Sequence, residues 1–131
     1  MAFKTVQFYT AFLFIVLTAA VPASSEDSMS QEIDHLLQYI ESSNCIFIRN
    51  GSESSATEAR AHIQTKYDIF KNRIKNTEDF IKYAATKSSI SGKPYKVRCN
   101  GQETLNADWL NAELKKLEIK NSNHFKYRIE N

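Results

Sequence analysis

His62 stands four residues after Glu58 and four before Lys66, so on a helix a carboxylate, an imidazole and an ammonium would share one face. Zinc chemistry would need a third and a fourth ligand. His35 and His124 have no paired spacing and no Cys lies near them, so the trio reads as surface salt-bridge neighbours and no metal is expected. Ser88, Ser89 and Ser91 with Lys93 raise a second chemistry, because a neutral Lys can act as general base for a hydroxyl nucleophile. The segment has no Ser-x-x-Lys and no Gly-x-Ser-x-Gly elbow, and Gly92-Lys93 lacks the flanks of a P-loop. It reads first as a solvated loop. Cys45 and Cys99 do not form a Cys-x-x-Cys, which points to a structural bridge rather than to thiol exchange. No cofactor is called for.

The oxidising compartment that such a bridge needs is suggested by Met1–Ala23. Lys4 is its only charge, the apolar run Phe8–Ala20 follows, and Val21-Pro22-Ala23 offers small residues to a signal peptidase. A retained anchor is the competing reading, but the run is short of the ~20 residues that span a bilayer and turns polar at Ser24. Cleavage after Ala23 leaves one small domain, residues 24–131, with no membrane span.

The elements follow from periodicity. Ile33, Leu36, Leu37 and Ile40 place a helix over residues 31–43, capped by Ser28 or Ser30 and ended by Asn44. Cys45–Arg49 is a strand candidate that stops at Asn50-Gly51. Ser55-Ala56-Thr57-Glu58 has capping-box spacing, and Ala56, Ala59, Ile63, Tyr67, Phe70 and Ile74 continue a helical stripe to about Lys75. Asn76 or Thr77 then caps a shorter helix with Phe80, Ile81, Ala84 and Ala85. Residues 86–94 form a loop. Tyr95–Cys99 is extended up to Asn100-Gly101, and Asn106 starts a last helix through Trp109, Leu110, Leu114 and Leu117. Phe125–Ile129 alternates apolar with basic residues, so the tail 119–131 reads either as a third, edge-type strand or as a frayed, mobile end. The expected fold is α+β: three to four helices on a small antiparallel ribbon, stapled by Cys45 and Cys99. One register sets Cys45 against Cys99, Phe47 against Val97 and Arg49 against Tyr95.

Charge is segregated along the chain. Residues 24–59 carry seven acids against Arg49, whereas residues 60–98 carry ten cations against three acids. A basic middle can bind anions, or an acidic first helix can neutralise it within the monomer. Nucleic acid is a poor partner, since the protein reads as exported and Tyr67, Phe70 and Phe80 sit on the core stripe. An anionic envelope component or an acidic protein suits it better.

Asn44–Gly51, Thr77–Ile81 and Ser91–Cys99, in that order, resemble the YfeK-like family of small bacterial periplasmic proteins of unknown function. The similarity runs from about Ile33 to Leu114, and the tail 119–131 departs from it. The resemblance implies a bacterial exported protein and no established activity, cofactor or catalytic residue.

The leading functional expectation is therefore a periplasmic, non-enzymatic binding domain. Arg49, Asn50, Lys93 and Tyr95 would converge at one end of the ribbon, with His62, Lys66 and Arg73 joining them if the long helix packs across that end. The alternative is a small envelope hydrolase using Ser88 or Ser91 with Lys93 or His62. Export is directly testable: mass spectrometry of the cellular protein should find an N-terminus at or near Ser24, and an intact Met1 in the membrane fraction would contradict it.

Overall fold

The structure, a computed structural model, describes residues 25–130, so the leader-like segment lies outside the described residues. Ile33, Leu36, Leu37 and Ile40 are all buried on helix α1 (Ser25–Ser42), which begins earlier than expected, so Ser28 and Ser30 lie inside it and cannot cap it. Asn44 ends the helix region at φ 54°, a left-handed conformation that Asn tolerates.

Two hairpins follow from two Asn-Gly pairs. Strand β1 (Ile46–Arg49) returns as β2 (Ser52–Ser54), and β3 (Lys96–Cys99) returns as β4 (Gln102–Leu105). Asn50 and Gly51 sit at φ 52° and 77°, Asn100 and Gly101 at 52° and 78°; two consecutive positive values fit the primed turn whose twist matches that of flanking strands. The sheet thus has four antiparallel strands in the order β2-β1-β3-β4, more than the two or three expected. The central pair keeps the expected register, with Phe47 against Val97, and one further step at each end sets Cys45 against Cys99 and Arg49 against Tyr95. Cys45 and Cys99 are joined by a disulfide.

Helix α2 (Ala56–Phe70) opens on the full capping box, Glu58 N–H donating to Ser55 Oγ while Ser55 N–H donates to the Glu58 carboxylate. It passes into one 3-10 turn (Lys71–Arg73) instead of continuing to Lys75. Asn76 caps α3 (Thr77–Ala84) by accepting from Asp79 N–H. Helix α4 (Asn106–Glu130) begins at Asn106, but that side chain donates to Ala85 O across the core and does not cap its own helix.

The expected third strand at Phe125–Ile129 is the last part of α4. Its alternation misled because Phe125, Tyr127 and Ile129 are each at least 65% exposed, so no packed face imposes a period on them. Only Leu110, Leu114 and Asn106 of that helix are buried.

The helices cover one face of the sheet, where Phe47, Val97 and Tyr95 are buried with Phe80, Ile81, Ile63 and the α1 stripe. Tyr39 stacks on Trp109 at 4.4 Å, and Trp109 meets Phe47 edge-on, tying α1 and α4 to the sheet. Each fully buried Leu, Ile or Phe contributes about 1.5–3 kcal/mol to folding. The opposite face is open: Arg98 reaches Glu53 on β2 at 2.6 Å and Glu103 on β4 at 3.2 Å, and Lys96 pairs with Glu103 at 3.1 Å.

The disulfide closes a loop with a sequence separation of 54, for which the chain-entropy argument gives about 4 kcal/mol. Denaturant unfolding with and without reductant should differ by about that amount, and Cys45→Ala with Cys99→Ala should reproduce the reduced value. Equal midpoints in both conditions would show that the bridge does not hold the sheet.

Candidate anion-binding site

The register that pairs β1 with β3 brings Arg49 to the same end of the sheet as Tyr95, and α2 lays His62 between them. Arg49 Nη1 lies 2.9 Å from His62 Nδ1 and 3.1 Å from Nε2, and His62 Nε2 is 3.0 Å from the Tyr95 hydroxyl. A guanidinium has only donors, so His62 must offer it an unprotonated ring nitrogen. One turn further along α2, the Lys66 ammonium donates to Lys87 O at 2.6 Å and to the Tyr95 hydroxyl at 3.3 Å, and lies 4.9 Å from the centre of the Tyr95 ring.

Lys66 is 6% exposed, which is rare for an ammonium. Among the described residues neither Lys66 nor Arg49 forms an ion pair, although Arg98 and Lys96 of the same sheet pair with Glu53 and Glu103. The Glu58 carboxylate, expected to share a face with His62 and Lys66, turns instead to Ser55 at the start of the helix. Burial, then Arg49 and Lys87, hold the Lys66 ammonium below its ordinary range. Burial, followed by Arg49 and Lys66, likewise lowers His62 below 6.5. Burial raises the Tyr95 hydroxyl, against the pull of Arg49.

Beside this cluster, between α2 and the β1–β2 hairpin, lies a cleft of about 270 Å³. Phe47, Ala59, Ile63 and Asn106 contribute to its lining, and its polar groups include Arg49, His62 and Tyr95 together with the carboxylates of Glu53 and Glu58. Asn106 Oδ1 is buried there without a hydrogen-bond partner. The sequence reading missed this cleft because its outer wall is β2, whose Ser-Glu-Ser has no strand-forming side chains; the Asn50-Gly51 pair was the signal that could have found it.

Five of the expected residues join directly here. Asn50 contacts the 88–93 loop, donating to Ser88 Oγ and accepting from Ser91 Oγ, while Arg49, His62, Lys66 and Tyr95 form the charged cluster. Lys93 is exposed in that loop, its backbone N–H donating to Ser91 Oγ. Arg73 stands apart: it lies in the 3-10 turn after α2, its guanidinium 5.9 Å from the Phe70 ring, and none of its contacts reaches the cluster. It sits three turns of helix beyond His62, too far along the axis to share the ribbon end.

The hydroxyl and base of the hydrolase alternative are not brought together. Ser88 Oγ accepts from the N–H groups of Ile90 and Ser91, Ser91 Oγ donates to Asn50, and His62 is engaged by Arg49 and Tyr95. No group of three or more His, Cys, Asp and Glu side chains among the described residues could hold a metal.

Fold and site together define a small disulfide-bonded α+β domain with a polar cluster at one end of its sheet. The model of a family of unknown function, DUF5329, matches residues 27–118, and the chain belongs to that family. It is similar to the uncharacterized protein YfeK of Salmonella typhimurium, 45% identical over 49 residues, or 37% of this chain and 41% of that protein. The chain therefore matches less than half the length of this curated relative. No solved structure matches the chain. The family match stops short of residues 119–130, the exposed last part of α4.

The lowered affinity of His62 for protons has a definite sign. The unfolded chain binds that proton more readily, so stability is lost as pH falls through 6.5 and below. Between about pH 7.5 and about pH 5.5 the wild type should lose more thermal stability than His62→Gln, the difference isolating this residue. Equal losses would mean that the ring is not held neutral.

Proposed function

We propose that this chain is an exported, periplasmic binding domain that holds anionic groups of a partner at the ribbon end and performs no chemistry there. The observation that carries the reading is the pair of cations, Arg49 and buried Lys66, gathered around Tyr95 with no carboxylate among the described residues bonded to either. A buried charge without a counter-ion costs stability, so a site that keeps one is suited to an anion supplied from outside.

The neutralisation alternative accounts for other cations. Arg60 pairs with Glu41 of α1 at 3.1 Å, and Arg98 with Glu53, but these contacts stand away from the cluster. Export is supported by the leader-like Met1–Ala23 and by the Cys45–Cys99 bridge, a bond that persists in oxidising compartments. An acidic protein segment or an anionic envelope component would supply the charge.

Poly-glutamate is a simple probe. Arg49→Ala with Lys93→Ala should weaken its binding about ten-fold at low salt, the scale of two partly exposed charge contacts. Lys115→Ala with Lys116→Ala, on exposed α4, removes equal formal charge and should leave binding nearly unchanged. Equal losses in the two double variants would show that the attraction is diffuse and that the ribbon end is not a site.

A further inference from the structure

The loop after α3 carries an apolar side chain where none is expected. Ile90 is 100% exposed. Its side chain is open to solvent, yet the loop that presents it is held by hydrogen bonds. Ser88 N–H donates to Lys93 O and Gly92 N–H to Ser88 O, each at 3.0 Å, and Lys87 bridges Pro94 across the base. Ser88, itself 5% exposed, accepts from the N–H groups of Ile90 and Ser91. Asn50 clamps the loop from β1 by bonding to both Ser88 and Ser91. Ile90 is thus fixed outward and cannot fold back onto the core.

The surroundings of this tip are cationic. No Asp or Glu occurs between Asp79 and Glu103, and Lys87 and Lys93 flank the tip on its two sides, both exposed. Among the described residues neither forms an ion pair, and Arg49, beside Asn50, adds a third charge without one. Ser89, Ser91 and Gly92 leave the backbone next to Ile90 free of bulk.

We propose that this end of the molecule docks on an anionic lipid surface, with Ile90 entering the interface and Lys87, Lys93 and Arg49 facing the headgroups. The inference rests on the anion-binding reading and names the source of the anion. A protein partner would need a contiguous surface of about 800 Å² on this side, with apolar anchors grouped together. One isoleucine among serines does not make such a patch. A bilayer asks only for an apolar side chain at insertion depth and basic residues within a Debye length of the charged surface. No helix among the described residues is long and apolar enough to cross a membrane, so the attachment proposed is peripheral.

Sedimentation with vesicles of phosphatidylcholine containing about 30% phosphatidylglycerol tests this, using protein as recovered from expressing cells with wild type and variants sharing one N-terminus. Ile90→Ser should lower partitioning about ten-fold, as partial burial of one Ile side chain implies, while leaving poly-glutamate binding unchanged. Lys87→Ala with Lys93→Ala should lower vesicle binding about 25-fold, near five-fold per charge, and purely zwitterionic vesicles should bind weakly. Ile90→Ser binding the anionic vesicles as well as wild type would overturn the proposal. Wild type that binds poly-glutamate but not these vesicles would overturn the lipid assignment alone, and failure with both would overturn the anion reading as well.

Discussion

The pairing of β1 with β3, closed at one end by the Cys45–Cys99 bridge, is the constraint on which the other features depend. Side chains alternate across a strand, so a slip of β1 by one residue against β3 would carry Phe47 from the core to the open face. The disulfide and the burial of Phe47 therefore enforce the same register from two directions. With that register set, Arg49 must lie at the far end from the bridge, opposite Tyr95. The capping box at Ser55 starts α2 directly after β2, and the helix then carries His62 and Lys66 to that end. The cluster is a consequence of chain geometry before it is a matter of charge.

The two sides of the sheet treat their cations differently. On the open face Arg98 and Lys96 are matched by Glu53 and Glu103, exposed pairs that water and salt screen and that add little to stability. At the ribbon end the protein buries Lys66 against a carbonyl and a phenol, and sets a histidine against a guanidinium, with no acid among the described residues paired to Lys66 or Arg49. Hydrogen bonds satisfy these groups, yet their charge stays uncompensated. Such an arrangement costs folding stability, a cost that an anion held there would offset on the proposed reading.

Much of this was legible in the residues. Capping at Ser55 and Asn76, the α1 stripe and the three cross-strand pairs are local or alternating signals, and they describe the helices and the central strands well. What failed was non-local or weakly patterned. Strands β2 and β4 hold Ser, Glu, Gln and Thr, and only the Asn-Gly turns before them announced a hairpin. The end of α4 contacts no core, so its alternation carried no structural meaning. Lys66 could have been placed inside: it continues the Ala59 and Ile63 spacing on the core side of α2, but its polarity argued for the surface. Arg73 would join the site only if the whole length of the long helix packed across that end, and its place in the 3-10 turn, about three helical turns beyond His62, keeps it away.

The proposed site requires that an anion enter the field of Lys66 and His62. Their protonation can be followed residue by residue by NMR, with and without saturating inorganic phosphate at constant ionic strength. An anion held at the ribbon end favours the charged form of each group, so both should titrate at higher pH when phosphate is present. Titration curves for Lys66 and His62 that are the same in both solutions would contradict an anion-binding site there.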